Sequence, residues 1–300
     1  MSKADRDPYV ATFSIAACDP RTGEVGVAVA SKFLAVGSVV PWAEPGVGAV
    51  ATQALANARY GHEGLALMMG GLSANQALDR MLAGDAGSER RQVGIVGVDG
   101  SVAAHTGLGC SPWAGHSVGT NFTCQGNLLA GPHVIEAMAA AFRTATGSFT
   151  QRLYAALAAG DHAGGDRRGR QSAALYVQRT GGGYQKLSDV VADLRVDDSP
   201  DPLKELARLL ALHDLYFGST PDADRLSLSE PAVLSAILSA MAAAGMPVRS
   251  GNIDDAVLLR EVERFLGSEN LEERIDMARL TIDPPALAYL EARYSDGKEA

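Results

Sequence analysis

The densest group of side chains able to grip an anion is Gly164-Gly165-Asp166-Arg167-Arg168-Gly169-Arg170-Gln171-Ser172. There, three arginines and an aspartate sit in a glycine-bracketed loop ahead of the apolar run Ala173 to Val177. Guanidinium groups suit a planar, bidentate hold on carboxylate or phosphate. A loop anchored by a core strand commonly carries function; the competing reading is a solvated charged turn. Gln53 and Asn57 lie in ATQALANARYG, and Asn127 lies in CQGNLLAGP. These are amides in apolar, glycine-bounded stretches, so each is either a substrate contact or a satisfied core amide. Thr12 opens the segment TFSIAACD and by itself reads only as a β-former at a strand start.

Three other motifs invite chemistry. Gly115-His116-Ser117-Val118-Gly119 has the spacing of a serine nucleophile elbow, with Asp161 or Asp166 and then His213 in the required chain order. An elbow needs an apolar strand before the serine and a helix after it, whereas CSPW precedes and TNFTC follows. His105, Cys110, His116 and Cys124 fall within twenty residues, but gaps of four, five and seven match no usual zinc-ligand pair. Buried thiols more often act as small hydrophobes, so no metal and no cofactor is expected. Gly46-Val47-Gly48-Ala49-Val50-Ala51 fits a dinucleotide fingerprint on paper. It runs into a strand-like segment instead of opening a helix, which reads as a tight glycine turn.

The elements that must position these groups follow from periodicity. Phe13, Ile15 and Ala17 alternate with Thr12, Ser14 and Ala16. A turn at Asp19 to Gly23 and a second apolar run, Val25 to Ala30, complete a hairpin. Further hairpins are predicted at Val93 to Thr106 around Asp99-Gly100, and from Gln171 to Arg179 through Gly181-Gly182-Gly183. Helices are predicted over Gly61 to Met69, Ser73 to Leu82, Pro132 to Thr144 and Phe149 to Ala159, which together indicate a layered α+β domain. Pro202 to Phe217 is one more helix with leucines at helical spacing. Turn residues mark a linker at 197–202 or, preferably, at 218–225. Beyond it, Ser229 is predicted to cap a helix over Glu230 to Ala244, and Asp254 another that ends at Gly267. Ser268 is predicted to open a helix through Leu271 and Ile275, and Asp283-Pro284 a last one, giving a small all-α bundle.

Charge separates the same two parts. The chain of 300 residues has 26 basic and 35 acidic side chains, a net −9. Residues 201–300 hold 18 acidic and 10 basic groups, leaving 17 and 16 in the first 200. Neither part has the basic face that nucleic acid or an anionic membrane requires. With 47% hydrophobic and 20% charged residues the chain is globular rather than disordered. Its three cysteines argue for a reducing compartment. The N-terminal MSKADRDPYVA has no apolar signal region, and Ala232 to Met246 is too short to span a bilayer. A soluble, cytoplasmic protein is the expectation, and a homodimer, since closed dimers are the commonest soluble assembly.

Taken in order, the segment from TFSIAACDPRTGEVGVAVASKF to ATQALANARYG, then HTGLGCSPWAGH, QGNLLAGP and GGDRRGRQSAALYV closely resemble a bacterial family of unknown function, DUF1028. Its members are sometimes labelled fimbrial assembly proteins. The resemblance covers residues 11–217. It implies an N-terminal-nucleophile (Ntn) hydrolase with a four-layer αββα sandwich, and residues from 226 onward, including SENLEER, are similar to a helical module described as peptidoglycan-binding. In such hydrolases the first residue of the mature chain attacks an amide carbonyl while its own α-amine, titrating at roughly 7.7–8.0, acts as base. The resemblance makes Thr12 the nucleophile, with Lys32 lowering the amine's pKa, Asp166 supporting the threonine, and Gly46 and Gly48 supplying an oxyanion hole. Gln53, Asn57, Asn127, Arg167 and Arg170 would contact a small-molecule or peptide amide. Eleven residues precede Thr12, so this chemistry needs them removed. The alternatives are a non-catalytic ligand- or glycan-binding protein on the same scaffold, and a serine hydrolase using Ser117.

Overall fold

The computed structural model describes residues 12–218, 220–248 and 256–294. The N-terminal extension 1–11 and the predicted cap Asp254 lie outside them. The chain divides into two compact units, one ending at Leu210 and the other beginning at Ala211.

In the first unit, β1 (Thr12–Asp19) and β2 (Glu24–Ser31) form the predicted hairpin, with Thr22 and Gly23 N–H groups both returning to the Asp19 carbonyl. Then come β3 (Pro41–Glu44), β4 (Gly48–Ala54), α1 (Arg59–Met69), α2 (Ala74–Ala83), β5 (Arg91–Gly97) and β6 (Val102–Thr106). The chain continues with β7 (Gly115–Gly119), β8 (Phe122–Asn127), α3 (His133–Thr144), α4 (Phe149–His162), β9 (Ser172–Gln178), β10 (Val190–Val196) and α5 (Pro202–Phe217), within which the first unit ends, at Leu210, instead of at the expected 218–225. Capping boxes at Ser73 with Gln76 and at Ser148 with Gln151 start α2 and α4.

The strands make two antiparallel sheets, β10-β9-β2-β1-β8-β7 and β3-β4-β5-β6. Strand alternation sends each residue set to a different partner. Phe13, Ile15 and Ala17 bury against Met138, Phe142, Leu153 and Leu157 of α3 and α4. Val50, Val93 and Ile95 of the smaller sheet bury against Tyr60, Leu65 and Met81 of α1 and α2. Ala16, Val27 and Val29 meet Ala49, Ala51 and Val96 between the sheets. Trp42 donates its indole N–H to the Val39 carbonyl and lies against α1, where a Cβ on Gly61 would overlap its ring. Trp113 packs on the larger sheet's core.

The second unit has its own core. After the last turns of α5 it contains β11 (Leu226–Ser227), α6 (Pro231–Ala243), α7 (Ala256–Ser268), β12 (Ile275–Asp276), β13 (Thr281–Ile282) and α8 (Pro284–Tyr294). The expected all-α bundle is corrected by a three-stranded sheet, β11-β13-β12, whose two-residue strands are too short to leave a period-two signal. Ser268 does not open a helix. It ends α7 by bonding the Phe265 carbonyl, and Ile275 pairs with Ile282 in the sheet. Ser229 yields the cap position to Glu230, with Pro231 in the first turn. Arg274 and Asp283, 2% and 1% exposed, form a 2.7 Å ion pair, and Arg225 reaches the other carboxylate oxygen at 3.0 Å.

Among the described residues, no helix is long and apolar enough to cross a membrane.

Candidate functional site

The inter-sheet space changes character along its length. At the Cys18 end of β1 it is apolar; at the Thr12 end it is filled by amides and hydroxyls. Thr12, Ser14, Ser31, Gln53, Gln92, Thr123, Gln125 and Asn127 are all buried there. Register brings them together, since Thr12 pairs with Ser31 on one side and Asn127 on the other, and Gln53 pairs with Gln92 on the facing sheet.

The hydrogen bonds form a directed chain. Thr123 donates to Gln125 Oε1 at 3.0 Å, Gln125 Nε2 to Ser14 Oγ at 2.6 Å, and Ser14 to Gln53 Oε1 at 2.6 Å. Gln53 Nε2 reaches Gln92 Oε1 at 2.8 Å and also the Thr12 carbonyl at 3.2 Å. Gln92 Nε2 continues to Thr106 Oγ1 at 2.9 Å, which in turn contacts His116 Nδ1 at 2.9 Å. Partial desolvation, and then His105, lower the imidazole's pKa below its ordinary value. Thr12 donates its hydroxyl to Ser31 Oγ at 3.1 Å. Asn127 gives Nδ2 to Gln92 Oε1 at 3.0 Å, while its buried Oδ1 has no hydrogen-bond partner. Such an orphan costs about 1–3 kcal/mol. Two non-glycine residues in the left-handed region follow site residues directly, Ala54 after Gln53 at φ 66° and Leu128 after Asn127 at φ 52°. Backbone strain of this kind concentrates where a site must be held rigid.

Asp166 stands beside this end of β2. Its buried carboxylate accepts the Lys32 backbone N–H at 2.8 Å, the Arg168 N–H at 2.9 Å and the Arg168 guanidinium at 2.9 Å. The adjacent Arg167 backbone N–H bonds the Leu128 carbonyl, and the Arg167 side chain is exposed.

Several expected placements change. The Lys32 side chain is exposed, and the group beside the Thr12 hydroxyl is Ser31, because antiparallel pairing puts residue 31, not 32, opposite Thr12. Gly46 and Gly48 sit at the far end of β4. Gly48 is five residues before Gln53, about 16 Å at the usual rise per residue, and pairs with Gly97, so an oxyanion hole there is excluded. Arg170 is committed to Asp161 through two 2.8 Å bonds, so its fork is occupied. Asn57 leaves the cluster altogether. It accepts the Arg59 N–H at the start of α1 and donates to Asp85. Ser117 lies in mid-strand on the edge strand β7, opposite Cys124, with no turn into a helix, so the nucleophile-elbow reading is set aside. Cys124 points into the helix-covered core while His116 reaches Thr106 on the other face, which separates two of the four suspected zinc ligands. Among the described residues no metal-binding group occurs. Gln92, Gln125, Ser14 and Ser31 also belong to the cluster, although they are not among the candidates expected from the sequence alone. Gln92 in RQVGIVG and Gln125 in FTCQGN show the same amide-in-apolar-run signal as Gln53.

Comparison with known proteins gives one family and a solved relative. The family described as "Family of unknown function (DUF1028)" matches residues 12–206. A crystal structure of a Silicibacter pomeroyi protein of that family is 30% identical, with a TM-score of 0.62, over 71% of this chain and 91% of that one. No curated protein matches.

Proposed function

The chain belongs to the family of unknown function DUF1028, and from that premise we propose that it is an Ntn hydrolase cleaving an amide bond of a small molecule or peptide, with Thr12 as nucleophile. The observation that carries the reading is the position of Thr12. It is the first residue of the central strand β1, its hydroxyl lies on the inner face against Ser31, and the family match opens at this same residue. Two further features support it. The packing of α3 and α4 on one sheet, sheet on sheet, and α1 and α2 on the other is consistent with an αββα sandwich. The strained residues Ala54 and Leu128 each follow a site residue directly.

In the proposed reaction, cleavage of the Ala11–Thr12 bond frees the α-amine. The amine takes the Oγ1 proton as Oγ1 bonds to the substrate carbonyl carbon. Collapse breaks the C–N bond, and the ammonium returns the proton to the leaving nitrogen. Water, deprotonated by the same amine, then hydrolyses the Thr12 ester and restores the hydroxyl. Asp166 acts from beside the site by fixing the end of β2 through the Lys32 N–H. With Arg170 held by Asp161, Arg167 is the arginine we assign to a substrate carboxylate.

Intact-mass measurement on protein from its native host is expected to show loss of residues 1–11, and Thr12→Ala to abolish turnover across an amide panel. A fully active protein retaining Met1 would overturn the reading. A chain that keeps Ala11 bonded to Thr12 and hydrolyses nothing would instead be a ligand-binding protein on this scaffold.

A further inference from the structure

We infer that Asn127 Oδ1 is the anchor of the Thr12 α-amine, a positioning role distinct from substrate contact; the inference rests on the reading above. Three observations lead there. Asn127 is fully buried directly across the ladder from Thr12, on the same inner face of the sheet. Its carboxamide cannot turn freely, because Nδ2 is spent on Gln92 Oε1 at 3.0 Å and that oxygen is itself held by Gln53 Nε2 at 2.8 Å. The orientation this fixes leaves Oδ1 as a buried acceptor without a donor. Every other amide oxygen in the chain from Gln125 to Gln92 has a donor. The one polar group that the proposed maturation creates beside Thr12 is an amine, which carries N–H donors and no longer the geometry of a peptide bond. Donation to Oδ1 would fix the amine's rotation about its Cα bond and so aim its lone pair towards Oγ1. A rotating amine would present that lone pair only part of the time.

The acceptor favours the charged form of the amine, since a hydrogen bond to an ionised group stabilises it. Removing it lowers the amine's pKa. The test uses a chain beginning at Thr12, which retains every described element, labelled with 15N at the Thr12 nitrogen and titrated by NMR. Asn127→Ala is expected to lower the midpoint by about half a unit or more. Asn127→Asp, which keeps an acceptor oxygen, is expected to hold it at or above the parent value. Thr123→Val, which breaks the same network on the same strand away from Thr12, is expected to leave it unchanged. In the unsubstituted chain the Asn127 carboxamide carbon is expected to shift with the midpoint of the amine. A carboxamide carbon blind to that titration, or an amine equally shifted by Asn127→Ala and Thr123→Val, overturns the assignment. These readouts do not need turnover: if the chain beginning at Thr12 hydrolyses no amide, the hydrolase reading fails while the titration still decides the role of Asn127.

Discussion

Gln92 holds more of the site together than any other side chain. Its Oε1 accepts from both Gln53 and Asn127, and its Nε2 serves Thr106 and the carbonyls of Gly115 and Gly126. Gln92→Leu keeps the volume but strands the Asn127 amide donor and two carbonyls. A loss of about 1–3 kcal/mol per stranded group sets the scale, read as a lower urea midpoint at unchanged slope. Thr123→Val, which removes one donor from Gln125 Oε1, is expected to cost less. Gln53 and Asn127 are visible in the sequence because each is an amide in an apolar, glycine-bounded stretch, whereas Thr12, a β-former at a strand start, stands out only through the family resemblance. It did not reveal that Ser31 rather than Lys32 faces Thr12. That is a property of cross-strand register, which a single strand does not encode. Gly46 and Gly48 failed for a related reason. Nothing in the order of residues along β4 says which of its ends lies over Thr12.

At the scale of elements, hairpins with strong turns were legible. Asp19 to Gly23 and Asp99-Gly100 gave β1–β2 and β5–β6. The β7–β8 hairpin was not. Its turn is carried by Asn121 at φ 65°, β7 is a half-exposed edge strand bounded by glycines, and the polar residues of β8 answer to a buried network instead of to solvent. The close approach of the sheets depends on Gly94, where a Cβ would overlap the Gln125 carboxamide. Gly94→Ala is therefore expected to destabilise by about 1–3 kcal/mol, as overpacking does, and to broaden the Gln125 amide resonances. A second junction ties α1, the end of α2 and β5. Asp85 takes Arg91 Nε at 2.8 Å, the Tyr60 hydroxyl at 3.0 Å and Asn57 Nδ2 at 3.2 Å. The Arg91 guanidinium, with help from the Gly87 N–H and Tyr60, holds the Asp85 carboxyl well below the usual carboxylate range. Its folded pKa is depressed, so its contribution is complete above the unfolded value of about 4 and drains away as pH falls further. Asp85→Asn is expected to lower stability at neutral pH and to flatten the loss below about pH 4. A denaturation midpoint followed against pH tests both.

Over the whole molecule the −9 charge is uneven, with the excess acid beyond residue 200. The second unit nevertheless places its most costly charges inside, in the pair of Arg274 with Asp283. Breaking one partner of a buried pair typically costs about 3–5 kcal/mol, so Asp283→Ala is expected to unfold the second unit at markedly lower denaturant. Both tryptophans of the chain, Trp42 and Trp113, belong to the first unit. Indole emission thus follows one half of the protein alone, whereas far-ultraviolet dichroism sums the helices of both. In Asp283→Ala the dichroic transition is expected to move while the emission transition stays. Emission shifting in step with dichroism would mean that the two halves melt as one cooperative body. Nature has placed the optical labels on one side only, so this distinction can be drawn on the intact chain without truncation or dye.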